Sequence, residues 1–238
     1  MAVMQPPPPR TWLPVPALDG VWCAERVVNG VPLRSLAIRL ADGRLAIHSP
    51  IRGLGRQAHD TLAAIGTPAF LIAPNHFHNL GLPEYAAAYP GVSVIASPTA
   101  APRVARRCRH EVHDPVVLGA ALPASVSLLI PPGTRAGELW LSFESAAGRA
   151  WTAGDAFFNV ARTPRTPMGL LLWLLGISAG LRIGASFRWL VRDRPGYRRW
   201  LLDAIAAQRP TTLIPCHGDI LADPELPDRL QRLVERRF

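Results

Sequence analysis

Lysine is absent. All 26 basic side chains are arginines, and against 17 acidic ones they give a formal charge of +9. An excess of that size invites a nucleic-acid partner, yet the arginines are dispersed. Their densest groups, "RVARRCRH" and "VERRF", sit on segments with helical spacing and lack the interleaved aromatics on which bases stack. Nucleic acid is therefore not expected. Solvated helix faces account for the charge, and a basic mouth that attracts anionic substrates stays open. Cysteine is scarce as well. Cys23, Cys108 and Cys216 are too few and too scattered for a disulfide framework, and their odd number leaves one unpaired, so a reducing cytoplasm is expected. The stretch "MAVMQPPPPRTW" has no charged opening followed by an apolar core, which excludes a secretory signal there.

Familiar catalytic signatures are missing too. There is no Gly-x-Ser-x-Gly elbow, no glycine-rich phosphate loop and no dinucleotide fingerprint. Cys216 adjoins His217, but neighbours on a strand point to opposite faces, which works against a Cys-His pair. No apolar run reaches the roughly 20 residues of a membrane span. The leucine-rich run "MGLLLWLLGISAGL" at 168 to 181 has 14 residues without a charge and is closed by Arg182. It reads as a buried or homodimer-forming helix. The following "RIGASFRWLVRDR" mixes arginines with aromatics, so membrane-surface contact through 168–192 is the alternative.

What is present is a core-sized chain. With 238 residues, 49% hydrophobic and 18% charged, disorder is expected only in the proline-rich tail, residues 1–17. "DGVWCAERVV", "LRSLAIRLADG" and "RLAIHSPI" read as a β-meander with an Asp-Gly turn. "GRQAHDTLAAIG", "LPEYAAAYPG" and "PTAAPRVARRCRH" read as helices around the short buried strands "PAFLIAP" and "VSVIAS". A second run of strands, "SVSLLIPPG", "GELWLSFESAAG" and "RAWTAGDAFFN", precedes more helices and a last strand, "TTLIPCHGD". "PELPDRLQRLVERRF" closes the chain as a helix, acidic early and basic late. Strands come first and helices after in each half. Two sheets face to face with helices outside is the architecture this order favours.

Polar residues interrupt the apolar runs at strand ends. "LIAPNHFHNLGL" presents His76 and His78, "WTAGDAFFN" presents Asp155, "LIPCHGD" presents His217 and "LAIHSP" presents His48. Imidazole and carboxylate are the donors zinc takes most often outside thiolate sites. Four strands finishing this way suit a site assembled at one edge of a sheet pair.

In the order of its elements, its His-x-His pair, its later Gly-Asp and its late His-Gly, the chain resembles the metallo-β-lactamase fold superfamily from about Val21 to Phe238. "LAIHSP", "APNHFHNLGLPEYAAAYPG" and "LIPCHGD" look closer to a branch with a degenerate metal motif than to its well-known hydrolases. The resemblance implies an α/β fold, an αββα four-layer sandwich of two mixed sheets. It also implies a single domain over 18–238, with an apolar helical insertion at about 166–192. Carried over by position, His76, His78, Asp155 and His217 are the metal ligands, with His48 and Asp219 as a further ligand or as supports. The departures are Leu80 and Gly81, where the family motif has Asp and His, and "PPGTRAG", a turn that usually holds a histidine.

Too few donors then remain for two metals, and one divalent ion is expected, zinc before iron or manganese. The implied function is hydrolysis of a small ester, thioester, lactone or phosphodiester by metal-activated water. The helix at 168–181 would be an apolar lid. The alternative is a non-catalytic metal- or ligand-binding protein on the same scaffold.

Overall fold

The computed structural model describes residues 11–28, 30–162, 167–174 and 178–238, and the side chains of 167, 168, 171 and 172 are left aside. The chain opens with β1 (Leu13–Pro14), β2 (Val21–Val28), β3 (Val31–Arg39) and β4 (Leu45–His48). Next come α1 (Arg56–Ile65), β5 (Pro68–Ile72), α2 (Leu82–Ala88), β6 (Ser93–Ile95), α3 (Ala101–Cys108), β7 (Val112–His113) and α4 (Pro115–Gly119). The second half starts with β8 (Val126–Leu129), β9 (Trp140–Ser145), β10 (Gly148–Ala153) and β11 (Phe158–Val160). It continues through α5 (Pro167–Leu174), β12 (Gly180–Arg182), α6 (Ala185–Leu190), α7 (Arg194–Gln208), β13 (Thr212–Pro215), β14 (Leu221–Ala222) and α8 (Leu226–Arg237).

The meander forms as its pattern dictates. β2 and β3 pair antiparallel, and the turn into β4 places Gly43 at φ +84° while Asp42 accepts from the Arg44 amide at 3.0 Å. From β4 onward the direction changes: β4, β5 and β6 run parallel, which requires the crossover helices α1 and α2. β5, "PAFLI", is buried at every position and shows no alternation, because both of its faces are covered. The first sheet follows the order β1-β2-β3-β4-β5-β6-β7, the second β14-β13-β10-β9-β8, and β11-β12 form a small ribbon.

Three apolar layers define the sandwich. Ile38, Phe70 and Ile72 of one sheet meet Leu141, Phe143 and Ile214 of the other in the central layer. Leu62, Tyr85 and Val104 of α1 to α3 cover the outer face of the first sheet. Phe187, Leu201, Ile205 and Leu230 of α6 to α8 cover Trp140 and Trp151 on the second. This is the αββα architecture expected from the order of elements.

Two local expectations differ from the structure. The first ten residues of the proline-rich tail lie outside the described residues, but 12–15 are packed, with Trp12 and Val15 buried and Leu13–Pro14 paired to β2. The folded unit therefore begins before residue 18, because a tryptophan and a valine there fill two different core layers. Nor is 168–181 one helix: α5 ends at Leu174, 175–177 lie outside the described residues, and Gly180–Arg182 pairs with β11. Leu181 and Ile183 bury on the strand side, whereas Leu170, Trp173 and Leu174 of α5 and Trp189 of α6 are exposed. Among the described residues no helix is long and apolar enough to cross a membrane. The three cysteines are free thiols.

Candidate metal centre

Parallel pairing creates the site. β4 and β5 run side by side with His48 opposite Ile72, and in the other sheet β10 and β13 run side by side with Ala153 opposite Pro215. Neighbouring parallel strands end at the same edge, where loops following them converge, as ligand sites in such sheets commonly do. The loop after β5 supplies His78, the Gly154 turn after β10 supplies Asp155, and the turn after β13 supplies His217.

Their donor atoms meet. His78 Nε2 lies 3.4 Å and His217 Nε2 lies 3.1 Å from Asp155 Oδ1, and the two imidazole nitrogens are 3.2 Å apart. Ligands held at about 2.0–2.1 Å around a tetrahedral zinc stand about 3.3 Å from one another. The three donors match that spacing, and their chemistry, two imidazoles and one carboxylate, is a divalent-metal set. Among the described residues this is the cluster that suits a metal ion.

The electrostatics agree with the geometry. Burial pushes the Asp155 carboxyl up, but His78 and His217 outweigh it and hold the group well below the usual carboxylate range. Burial pulls His78 down, and the Asp155 carboxylate more than compensates, leaving it above the ordinary imidazole value.

A buried polar frame fixes the triad, and sequence reasoning missed most of it. Asn75 donates from Nδ2 to Asp155 Oδ2 at 2.8 Å and to Glu138 Oε1 at 2.7 Å, while its Oδ1 accepts the amides of Phe77 and His78. Glu138, fully buried, also accepts from the Asp155 amide at 3.0 Å and from Trp140 Nε1 at 2.6 Å. Ser49 Oγ stands 2.9 Å from His78 Nδ1. A proton on Nδ1 shared with that hydroxyl leaves the Nε2 lone pair free for a cation. On the other flank, buried Arg34 of β3 donates to Pro215 O at 2.9 Å and Gly218 O at 2.8 Å, bracketing His217, and pairs with Glu25. Phe158 stacks on the His217 ring at 5.4 Å. The available signal was modest: one buried acid amid "GELWL" and one Asn at a strand end.

The remaining candidates sit elsewhere. His76 is the correction that matters most: its Nε2 lies 2.9 Å from the Arg103 guanidinium of α3, so its lone pair is already taken. The cause is long-range: its amide also donates to Ala136 O at 3.0 Å, so main chain and ring are both held by groups distant in sequence. His48 is buried within β4 and lies outside the donor cluster, with Nε2 lacking a hydrogen-bond partner. Asp219 is exposed, and it is its backbone that bonds Asn159, leaving the carboxylate outside the donor cluster. Leu80 is exposed, and a Cβ on Gly81 would fall 2.1 Å from Pro50 O, so no ligand-bearing residue fits there without a backbone shift. In "PPGTRAG", the Thr134 hydroxyl accepts from the Glu138 amide at 3.1 Å and so serves the frame. Burial pushes the Cys216 thiol far up, which removes it as a nucleophile.

The triad lies at one side of a cleft of about 350 Å³. Leu33, Ile51, Phe77 and Leu80 make its apolar walls, with Arg26 and Arg52 beside them. Among the described residues no part of α5 lines this cleft.

No protein-family model matches the chain, and no curated protein sequence matches it. Solved structures do. The DIM-1 metallo-β-lactamase is 11% identical with a TM-score of 0.61, the match covering 96% of this chain and 99% of that one. A diflavin flavoprotein fragment from Nostoc is 12% identical with a TM-score of 0.62, covering 98% of each chain. The FIM-1 metallo-β-lactamase from Pseudomonas aeruginosa, solved in its mono-zinc form, is 11% identical with a TM-score of 0.56, covering 95% of each chain. Full-length coverage establishes that this chain has the metallo-β-lactamase fold.

Proposed function

We propose that this chain, built on the metallo-β-lactamase fold, is a mononuclear metal-dependent hydrolase acting on an ester, thioester, lactone or phosphodiester of small size. The observation that carries the reading is the 3.1–3.4 Å triangle of His78 Nε2, Asp155 Oδ1 and His217 Nε2 opening on a cleft. Zinc suits this donor set best, and iron or manganese takes the same ligands. A divalent ion held there supplies a water of lowered pKa and polarises the oxygen of a bound carbonyl or phosphoryl group.

The protein's own groups do the rest. Asn75 and Glu138 keep Asp155 in one orientation, and Ser49 holds the His78 ring through Nδ1. Leu33, Ile51 and Phe77 seat an apolar group and limit solvent around the reacting bond. Hydrolysis adds water across that bond, the acyl or phosphoryl centre keeping the hydroxyl oxygen and the leaving oxygen or sulfur taking the proton. The mono-zinc form of FIM-1 lends support to a one-metal site on this fold. Three free thiols fit a cytoplasmic setting.

A panel of one ester, one thioester, one lactone and one phosphodiester, assayed with zinc-loaded protein, tests the reading. At least one class should turn over and fall to background in Asp155→Ala. A second reading, metal or ligand binding without catalysis, is favoured by Leu80 and Gly81, which leave the triad without a fourth protein donor among the described residues. Bound metal with no turnover of any class would select it.

A further inference from the structure

We propose that the cleft is built for an amphipathic anion: a substrate with an apolar chain and a carboxylate or phosphate group, the latter held by Arg26 and Arg52. This rests on the hydrolytic reading of the same site and narrows its substrate. Arg26 lies on β2 and Arg52 on the loop after β4, and both line the cleft that holds the triad. Arg26 Nη1 donates to Arg52 O at 2.5 Å, which ties the strand to the loop. Its guanidinium occupies the space a Cβ on Gly53 would need, 2.9 Å away, so the arginine is seated against that glycine.

Neither arginine has a carboxylate within ion-pairing distance among the described residues, and the neighbouring acids are engaged. Glu25 pairs with Arg34. Glu84 accepts the Gly53 amide at 2.9 and 3.2 Å, and Asp155 belongs to the triad. Two guanidiniums beside an apolar cleft therefore keep donors to spare, and each is a planar fork suited to oxyanions. The opposite requirement comes from Phe77 and Leu80, 50% and 57% exposed. Large apolar side chains open to water along one cleft, with cations at its edge, mark a surface awaiting an apolar ligand with a charged end. A neutral ester would leave the arginines unused, and a small inorganic anion would leave Phe77 and Leu80 bare.

Titration calorimetry with octanoate, octyl phosphate and octanol tests the assignment, on zinc-loaded and on metal-stripped protein. Either anion should bind about tenfold or more tightly than octanol in both forms, the tighter of the two naming the headgroup. Arg52→Gln should reduce that preference about tenfold, and Phe77→Ser should weaken all three probes alike. Arg26→Gln, with folding checked by circular dichroism, provides the second variant. Loss of the anion preference on stripping the metal would overturn the proposal, since the metal and not the arginines would then hold the charge. So would a preference that survives in both arginine variants. If the hydrolysis panel is silent while the anion preference persists, the catalytic reading fails and the subsite stands.

Discussion

His48 shows how far a side chain can sit from the role its position suggests. It ends β4 at the edge where the ligands gather, yet burial, with a smaller contribution from His78, depresses it to about 3. Its folded value lies below the unfolded value of about 6.5, so the unfolded chain takes up the proton first. Stability is whole above about pH 6.5 and drains away as the pH falls toward 3. At pH 4 the loss attributable to this one ring is on the order of 3 kcal/mol. Urea unfolding of His48→Leu at pH 7 and pH 4 should show a smaller acid loss than wild type, with bound metal unchanged. Equal acid losses would mean that His48 is hydrated or already charged.

At the same scale, His76 and His78 were indistinguishable in "HFH". What separates them is a main-chain bond to Ala136 and a guanidinium on α3, 60 and 27 residues away. Nothing local in the sequence encodes either.

At the scale of elements, the strands that build the site were legible. β4, β5, β10 and β13 are short apolar runs that break at Pro, Gly, Cys or Ser next to a polar donor. The 168–181 stretch was half legible: its first leucines are helical to Leu174, but an apolar run suits helix or strand equally, and its end, Gly180–Leu181, pairs with β11 instead. Long-range clamps were equally invisible. Arg34 reads as one of many arginines, but it carries β3 across to the β13 turn, 181 residues on, and holds the carbonyls on either side of His217. Arg34→Met removes the buried half of a partly buried pair and frees that turn. Unfolding should lose about 2 kcal/mol, chiefly because the Pro215 and Gly218 carbonyls lose their donor. Zinc affinity, read by competition with a chelating dye, should fall about 10- to 100-fold, as for other groups that orient ligands. A stable variant with undiminished affinity would show that the β13 turn holds His217 unaided.

For the whole molecule, the layered architecture followed from the order of strands and helices and from where apolar residues cluster. The two sheets share one core, and each carries its own helical cover. The site was half legible. Residue chemistry nominated the donors, but only folding shows which share a point, since His78, Asp155 and His217 are separated by 77 and 62 positions. Glu138 and Asn75, which hold that point rigid, are ordinary letters in the sequence.

The metal content of the purified chain and of four single variants bears most directly on this account. Elemental analysis after zinc loading and desalting should find one ion per chain in wild type and in His76→Ala, and none in His78→Ala, Asp155→Ala or His217→Ala. Two ions per chain, an ion lost with His76, or an ion kept without Asp155 would contradict it.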